Sequence, residues 1–252
     1  MTKSGGKKHL KRLVVSEHYP IHKKEYTFSV RPSPGPHAAD VCIPTAIILR
    51  DLLKYARNIS EVKKIIYERN VLVDGRVRLN RKYPVGFMDV FSLPKINEHY
   101  RMLYKPKIGL RLVPIDEEKA KVKFCQIVNK TTLKGGKTQL NLHDGRNIIL
   151  SEDDYKIAAE YTTHATVKIS IPEQKILDKF DLEVGNYGLI ISGRGMGQHG
   201  IIENISTHGT SKTKTATIRT TSGTTIETLY RYIFVIGKDT PDQDVGLPEV
   251  DN

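Results

Sequence analysis

Residues 45–79 read TAIILRDLLKYARNISEVKKIIYERNVLVDGRVRL, a stretch that joins two helical patterns to a hairpin pattern. Apolar residues recur at helical spacing over 48–56, and Thr45 can cap the helix that they predict. A second helix is predicted over 61–69, with Ser60 as its cap. This order of elements predicts a small unit of two helices followed by a hairpin.

The hairpin pattern comes directly after the second helix. Asn70 is a suitable left-handed stop for that helix, and Asp74-Gly75 between alternating residues is a strong signal for a two-residue hairpin. Because side chains alternate along a strand, Arg76 and Arg78 share one predicted face, with apolar residues on the other. The hairpin is therefore expected to present a basic face.

The predicted helices are basic on their outer surface. Arg50, Lys54 and Arg57 are spaced i, i+4, i+7, which places three like charges along one face of the first helix. Repulsion in such a row costs about 0.2–0.5 kcal/mol per pair, and a phosphate backbone would relieve it. An ordinary solvated surface is the alternative. The residues of this unit that we expect to contact phosphates are Arg50, Lys54, Arg57, Lys63, Lys64, Arg69, Arg76, Arg78, Arg81 and Lys82.

The positive charge is concentrated at the N-terminal end of the chain. Of 252 residues, 40 are Lys or Arg and 28 are Asp or Glu, so the net charge is +12. The first 108 residues hold 22 of the basic and 9 of the acidic residues, which leaves 18 and 19 for the remainder. A field distributed in this way indicates a polyanionic partner, either nucleic acid or an anionic membrane surface.

Residues 1–40 form a predicted basic, extended arm. They show no helical period, and the three prolines within 32–36 favour an extended connector. Because the arm has few apolar residues, we expect it to be solvated or to become ordered only against a partner. Its candidate contacts to a polyanion are Lys7, Lys8, Lys11, Arg12, Lys23, Lys24 and Arg31.

The rest of the chain is predicted to consist of short strands and turns. Residues 106–172 predict an antiparallel meander, with turns at 134–137 and 144–145. Residues 173–237 predict five short strands, which suits a small barrel, and residues 238–252 an acidic, mobile tail. The candidate phosphate contacts in this part are Lys134, Lys137, Arg146, Arg194 and His199, although lysines at a turn, such as Lys134 and Lys137, are more often simply solvated.

One glycine motif could be mistaken for a nucleotide site. Gly195, Gly197 and Gly200 satisfy the spacing G-x-G-x-x-G of a dinucleotide-binding loop. Such a loop must open a helix, because the pyrophosphate lies at the helix N-terminus. Here the glycines precede 201–205, which is followed by threonine-rich strand sequence, and the P-loop consensus is absent from the sequence. We expect no cofactor.

Patterns for catalysis, metal binding or membrane insertion are weak. Ser60 and Lys63 match S-x-x-K, but the companion motifs S-D-N and K-T-G are absent and capping explains the serine. His18 and His22 are spaced i, i+4, but Pro20 breaks the helix that would bring them together. The two cysteines lack CxxC partners, and no apolar run approaches the roughly 20 residues of a membrane span. We expect neither an enzyme nor a metal site.

The helix–helix–hairpin unit resembles the alpha-L, or S4-type, RNA-binding domain. Longer segments carry a more specific resemblance, and they are RPSPGPH at 31–37, YPVGFMDV at 83–90, GGKTQLNLHDGRN at 135–147 and YIFVIGK at 232–238. Taken in order over nearly the whole chain, these motifs are similar to the archaeal and eukaryotic small-subunit ribosomal protein S4e family.

The resemblance implies an α+β, mostly β fold of three modules, namely an S4-type domain at 41–105, a central β domain at 106–172 and a C-terminal KOW-type SH3-like barrel at 173–237. It also implies a structural protein of the small ribosomal subunit in the cytoplasm, whose partners are rRNA and neighbouring ribosomal proteins. By position, the basic arm corresponds to Lys7, Lys8, Lys11 and Arg12, the S4-type face to Arg50, Lys54, Lys64, Arg76 and Arg78, and the KOW loop to Gly193, Arg194, Gly197 and Gly200.

Two other functions stay open at this point. S4-type domains also precede pseudouridine synthase domains, so the chain could modify RNA, although that activity needs a catalytic domain with an exposed Asp. The downstream sequence consists of short strands and contains no catalytic constellation that supports this reading. The other alternative is an RNA-binding protein that acts outside the ribosome.

Overall fold

The computed structural model describes residues 9–150, 159–208 and 213–247. Within them, the N-terminal arm is folded rather than extended. Strand β1 (Leu10–Lys11) pairs antiparallel with β2 (Phe28–Ser29), so the arm returns on itself. Val15 and Tyr19 are buried in the main hydrophobic core, which gives the arm the apolar anchor that its composition did not predict. The expectation of a solvated arm is therefore wrong for residues 9–40.

The unit after the arm contains two α-helices and a five-stranded antiparallel sheet. Its elements are β3 (Cys42–Pro44), α1 (Thr45–Ile47), α2 (Ile59–Tyr67), β4 (Leu72–Val73), β5 (Arg76–Val77), β6 (Pro84–Gly86), β7 (Val90–Leu93), β8 (Glu98–Lys105) and β9 (Gly109–Ile115). The sheet order is β5-β4-β7-β8-β9, and β3 pairs separately with β6. Because β9 pairs with β8, the sheet continues past the boundary expected at residue 105.

The first helix is shorter than its apolar pattern predicts. After α1, residues Ile48–Leu52 form a π-helical turn, closed by the Leu53 N–H donating to the Ile48 carbonyl at 2.9 Å. Lys54 then has a φ of 59°, a left-handed conformation that ends the helix. The Thr45 hydroxyl donates to the Tyr83 carbonyl at 3.2 Å and does not cap the helix.

The second helix forms as predicted, but its ends differ. Asn58 is the last extended residue before α2, and its side-chain oxygen accepts from the Glu61 N–H at 2.9 Å, so Asn58 is the cap and Ser60 lies inside the helix. At the other end the left-handed residue is Arg69, with a φ of 59°, and not Asn70. Val62 and Ile66 are buried against the core.

The predicted hairpin is confirmed. Strands β4 and β5 pair with Val73 opposite Arg76, and Asp74 and Gly75 have φ values of 51° and 70°, as a type I′ turn requires. The alternation beyond the turn does not reach the core, because Val77 is exposed.

The second five-stranded sheet carries the predicted meander. It contains β10 (Val122–Thr132), β11 (Thr138–Leu142), β12 (Asn147–Ile149), β13 (Thr166–Ser170) and β14 (Ile176–Phe180), and the short helix α3 (Glu117–Ala120) precedes it. The order is β12-β11-β10-β13-β14. Because β14 belongs to this sheet, the sheet extends beyond the boundary expected at residue 172. Leu140 and Val167 are part of its own small hydrophobic cluster.

The third sheet contains the five strands predicted from the sequence. They are β15 (Tyr187–Ile190), β16 (His199–His208), β17 (Thr213–Thr220), β18 (Thr225–Leu229) and β19 (Ile233–Gly237), in the order β18-β17-β16-β15-β19. This sheet shares the main core with the first one, and Phe234 contacts Phe87 edge to face with ring centroids 4.9 Å apart.

The acidic segment after β19 is docked as far as the structure describes it, to residue 247. Asp242 and Asp244 each lie 2.7 Å from the Lys168 ammonium, and the Asp244 carbonyl accepts from the buried Arg101 guanidinium at 2.7 Å. These contacts overturn the expectation of a mobile tail for this part. In the described residues, no helix is both long and apolar enough to cross a membrane.

Candidate nucleic-acid interface

The turn between α1 and α2 places three predicted cations around one cleft. Arg50, Lys54 and Arg57 do not share a helix face, because the helix ends at Lys54 and Arg57 lies before α2. All three nevertheless line a cleft of about 830 Å³, whose opposite wall is formed by arm residues that include His22 and Tyr26. We call this space the arm cleft.

The charges of the arm cleft are only partly neutralised. Arg50 is bound by its neighbour Asp51, with a nitrogen–oxygen distance of 2.8 Å. The Lys54 and Arg57 side chains are exposed, and neither forms an ion pair in the described part of the chain, although the Arg57 backbone N–H donates to the Glu61 carboxylate at 2.7 Å. Two uncompensated cations therefore stand at the cleft, where a phosphate could neutralise them.

The outer side of α2 and the hairpin continue the exposed basic surface of this unit. Lys63 and Lys64 lie on the solvent side of α2, Arg69 follows its end and Arg76 lies on β5. Among the residues that the structure describes, none of these four side chains pairs with a carboxylate. Such a surface is what a phosphate backbone neutralises on binding.

The remaining cations of this unit are less accessible. The Arg78 guanidinium lies over the Tyr83 ring, 4.4 Å from its centroid, and is half-buried. Arg81 and Lys82 are also half-buried, and their carbonyls accept from Ala46 and Ser33. These three side chains border the exposed surface and do not form its centre.

Four predicted cations of the described part of the arm are exposed, and one is not. The exposed ones are Lys11, Lys23, Lys24 and Arg31. Arg12 is only 3% exposed, and its guanidinium donates to the Glu25 carboxylate at 2.8 Å and to the His22 carbonyl. Arg12 therefore holds the arm together and is removed from the candidate RNA contacts. Lys7 and Lys8 lie outside the described residues.

The candidates of the second and third sheets are dispersed. Lys134 and Lys137 are exposed at the β10–β11 turn, and Arg194 is exposed in the β15–β16 loop. His199 is half-buried with its Nδ1 atom 2.8 Å from the Tyr187 hydroxyl, and burial lowers the pKa of His199. A neutral imidazole adds no charge for phosphate, so His199 is a weaker candidate contact than the exposed cations.

A buried cluster of charges lies between the first and second sheets, and the sequence did not predict it. The Lys123 ammonium on β10 is fully buried and lies 2.8 Å from Asp74, 2.6 Å from Asp89 and 2.9 Å from Asp144. Burial alone would lower the pKa of Lys123, but the adjacent carboxylates raise it well above its usual range. The lysine is therefore charged at neutral pH.

Arg146 and His37 complete this buried charge cluster. Arg146 lies 2.6 Å from an Asp74 oxygen and 3.0 Å from an Asp144 oxygen, so it is an internal cation and is removed from the candidate RNA contacts. The Nε2 atom of His37 is 3.0 Å from both oxygens of Asp89. With His37 protonated, three cations balance three carboxylates.

One further group of polar side chains has the composition of a metal site. Cys125, His143 and Asp144 each bring a donor atom within 4.8 Å of the others. However, the Cys125 thiol donates to Asp144 at 3.6 Å, and the Gln126 N–H donates to the His143 Nδ1 atom at 3.2 Å. Burial raises the pKa of the Cys125 thiol and lowers that of His143 to about 4. These donor atoms therefore already have partners within the protein, and Asp144 is a member of the buried charge cluster.

Comparison with family models supports the assignment of the basic unit. The model described as the S4 domain matches residues 49–91, which span α2, the hairpin and the residues of the arm cleft turn. The RS4NT (NUC023) domain matches residues 4–40, and the model described as "Ribosomal family S4e" matches residues 96–176. The protein thus contains an S4 domain, preceded by a segment that matches the RS4NT domain.

Full-length relatives identify the family. The chain is 51% identical over 242 residues to the small ribosomal subunit protein eS4 of Methanothermobacter thermautotrophicus, which covers 96% of each chain. It is 46% identical over 251 residues to the protein of the same name from Staphylothermus marinus, which covers 99% of each. The crystal structure of the 30S ribosomal protein S4e from Thermoplasma acidophilum matches with a TM-score of 0.65 at 27% identity, and the match covers 79% of this chain and 96% of that one. The chain belongs to the S4e family of ribosomal proteins.

Proposed function

We propose that this chain is a structural component of the small ribosomal subunit and binds its rRNA through the S4 domain and the folded arm. The observation that carries the proposal is the exposed, unpaired basic surface formed by the arm cleft, α2 and the hairpin. A surface with that much like charge is costly unless a polyanion covers it. The relatives are named as proteins of the small ribosomal subunit, so the polyanion that we propose is the rRNA of that subunit.

The physical mechanism is neutralisation of phosphate charge. Each phosphate that a Lys or Arg contacts releases bound counterions, so affinity falls steeply with salt, by a slope of about 0.7–0.9 per phosphate. A-form RNA has a deep, narrow major groove that side chains cannot read and presents a wide, shallow minor groove and its phosphates, so cations on a folded surface recognise mainly its shape and backbone. The S4 domain would therefore position the protein on rRNA with little direct reading of sequence.

The burial of each side chain ranks the proposed contacts. The first rank comprises Lys11, Lys23, Lys24, Arg31, Lys54, Arg57, Lys63, Lys64, Arg69 and Arg76. The second rank, half-buried or partnered, comprises Arg50, Arg78, Arg81 and Lys82. A separate set on the other sheets comprises Lys134, Lys137 and the KOW-type loop residue Arg194, and Lys7 and Lys8 stay in the proposal from the sequence alone.

The other proposed properties follow from the same assignment. We expect neighbouring small-subunit proteins as partners and a location on ribosomes in the cytoplasm, and we expect the third sheet to act as a KOW-type SH3-like module. The relatives are named as ribosomal proteins and not as pseudouridine synthases, so an RNA-modifying enzyme is not favoured.

The test is sedimentation combined with RNA binding. We expect the endogenous protein to migrate with small ribosomal subunits in a sucrose gradient, and the purified protein to bind small-subunit rRNA more weakly as KCl is raised. A protein that remains at the top of the gradient would support the extra-ribosomal alternative. Binding that is equally strong in molar KCl would contradict the electrostatic mechanism.

A further inference from the structure

One aromatic ring of the arm is held in an exposed position on the wall of the arm cleft. Tyr26 is 67% exposed, although a large ring gains free energy by being buried. The buried Arg12 guanidinium lies 5.3 Å from the centroid of that ring. Because Arg12 is itself fixed by Glu25 and by the His22 carbonyl, the ring rests on a rigid base. The fold thus presents a preformed aromatic platform to solvent.

The platform shares its cleft with unneutralised positive charge. Arg12 and Arg50 are each compensated by an adjacent carboxylate, while Lys54 and Arg57 are not. The cleft measures about 830 Å³, which falls within the roughly 300–1,000 Å³ of ligand-binding clefts. An aromatic face beside two free cations matches the chemistry of a nucleotide, which has a flat base and a phosphate on either side.

We infer that the arm cleft receives one unpaired nucleotide of the rRNA, with its base stacked on Tyr26 and its flanking phosphates at Lys54 and Arg57. The inference rests on the proposed rRNA binding and specifies what this part of the surface binds. Base faces are hidden inside a paired A-form helix, so a ring can stack only on a nucleotide turned out of a loop, bulge or end. The arm cleft would then recognise a single-stranded feature beside the helix that the other cations contact.

The test separates stacking from charge. The variants are Tyr26→Leu, Tyr26→Phe and Lys54→Ala in the full chain. For each we would measure the Kd for purified small-subunit rRNA and the salt dependence of that Kd. Base-resolved chemical probing would show which nucleotides each variant protects. Leu177→Ala is the control, because Leu177 is 55% exposed on β14, outside the arm cleft and outside the proposed basic surface. Thermal unfolding of each variant verifies that the arm and domain stay folded.

We expect Tyr26→Leu to weaken binding about 5- to 150-fold with an unchanged salt slope, because a stack is lost but no phosphate contact. Tyr26→Phe and Leu177→Ala should bind like the parent. One unpaired nucleotide should lose protection in Tyr26→Leu only, and Lys54→Ala should reduce the slope by about one phosphate contact.

Three results would overturn the inference while leaving rRNA binding intact. The first is an unchanged Kd for Tyr26→Leu. The second is an equal loss of affinity in Tyr26→Phe, which would point to the hydroxyl. The third is normal rRNA binding by Tyr26→Leu with a loss of its incorporation into subunits, which would point to a protein in the cleft. A parent protein that does not bind rRNA would overturn both this inference and the proposed function.

Discussion

The ammonium of Lys123 lies 2.8 Å from the carboxylate of Asp74, although the two residues belong to different sheets and are 49 positions apart. Asp74 is the turn residue of the β4–β5 hairpin, and its other oxygen accepts from the Val90 N–H at 2.9 Å. The turn that closes the S4-domain hairpin is therefore fixed by a strand of the next sheet. This relationship makes the buried charge cluster the main polar link between the two units.

Removal of Lys123 should strongly destabilise the protein. Lys123→Met leaves Asp74, Asp89 and Asp144 buried without their shared cation, and breaking a buried ion pair costs about 3–5 kcal/mol in the free energy of unfolding. Urea denaturation would measure the loss. The control is Lys121→Met, two residues earlier, whose side chain is 65% exposed and pairs with Glu117 at 3.5 Å. That variant should change stability by less than about 1 kcal/mol, and equal losses in both would contradict a special role for the cluster.

The cluster also predicts a pH dependence that arises from His37. Burial lowers the pKa of this imidazole, but the Asp89 carboxylate more than compensates, so the pKa in the folded protein lies above its ordinary value. A raised folded pKa gives a stabilisation that is complete below the unfolded pKa of about 6.5 and is lost as pH rises through the folded pKa.

His37→Gln should therefore reduce the free energy of unfolding at pH 5.5 more than at pH 9, as measured by urea denaturation at both values. The difference between parent and variant removes the contribution of distant histidines with lowered pKa, such as His164, which act in both proteins and with the opposite sign. A difference that does not depend on pH would mean that His37 is neutral in the folded state.

The unpaired cations of the arm cleft should determine part of the salt dependence of rRNA binding. A Lys54→Ala/Arg57→Ala double variant should bind more weakly at low salt and lower the slope by about 1.4–1.8, corresponding to two phosphates. Arg50→Ala should have a smaller effect, because Asp51 already neutralises Arg50. Lys175→Ala is the control, since Lys175 is exposed on the second sheet and paired with Glu173 at 2.7 Å. An unchanged slope in the double variant would remove this cleft from the interface.

Arg12 should matter for the arm and not for the salt slope. Arg12→Ala removes the hydrogen bonds to Glu25 and the His22 carbonyl, and bonds of charged groups contribute about 1.5–3 kcal/mol each. We expect faster limited proteolysis within residues 9–31 and a nearly unchanged slope. Lys11→Ala, at an exposed neighbouring position, should resist proteolysis like the parent. Protease resistance equal to the parent in Arg12→Ala would contradict the internal role.

Gly197 should be sensitive to a single methyl group. A Cβ at this position would come 2.6 Å from the Lys105 carbonyl carbon, so the β15–β16 loop lies directly on the end of β8. Gly193→Ala is a matched control, because both glycines have a φ of 85° but the nearest atom to a Cβ at Gly193 is 3.8 Å away. Gly197→Ala should lower the Tm more than Gly193→Ala, and equal shifts would show that backbone strain alone matters.

Local sequence patterns predicted the helices, strands and turns. Long-range contacts determined which of the predicted cations are available to contact RNA. The Asp74-Gly75 hairpin and the β10–β11–β12 meander were predictable because a turn is encoded in adjacent residues. The end of the first helix could not be predicted, because the same apolar period fits both an α-helix and the π-helical turn at Ile48–Leu52.

The basic surface was predictable as a whole and not residue by residue. Lys54 and Arg146 look alike in sequence, yet Lys54 is exposed while Arg146 contacts a carboxylate 72 residues away. Arg12 differs from Lys11 only through the fold of the arm around it. Residue spacing does not reveal ion-pair partners that are distant in the chain. The sequence therefore predicts a basic face but cannot distinguish its buried, paired cations from its exposed ones.

The position of the compensating cations in the chain has a consequence for synthesis. A nascent chain presents Asp89 34 residues before Lys123 leaves the peptidyl transferase centre, and Arg146 emerges later still. Until those residues clear the exit tunnel, the S4 domain lacks both the cations that neutralise Asp74 and Asp89 and the second sheet that covers them. Its final folding is therefore postponed to the second half of translation, and a gene truncated after the S4 domain should yield a product that aggregates or is degraded.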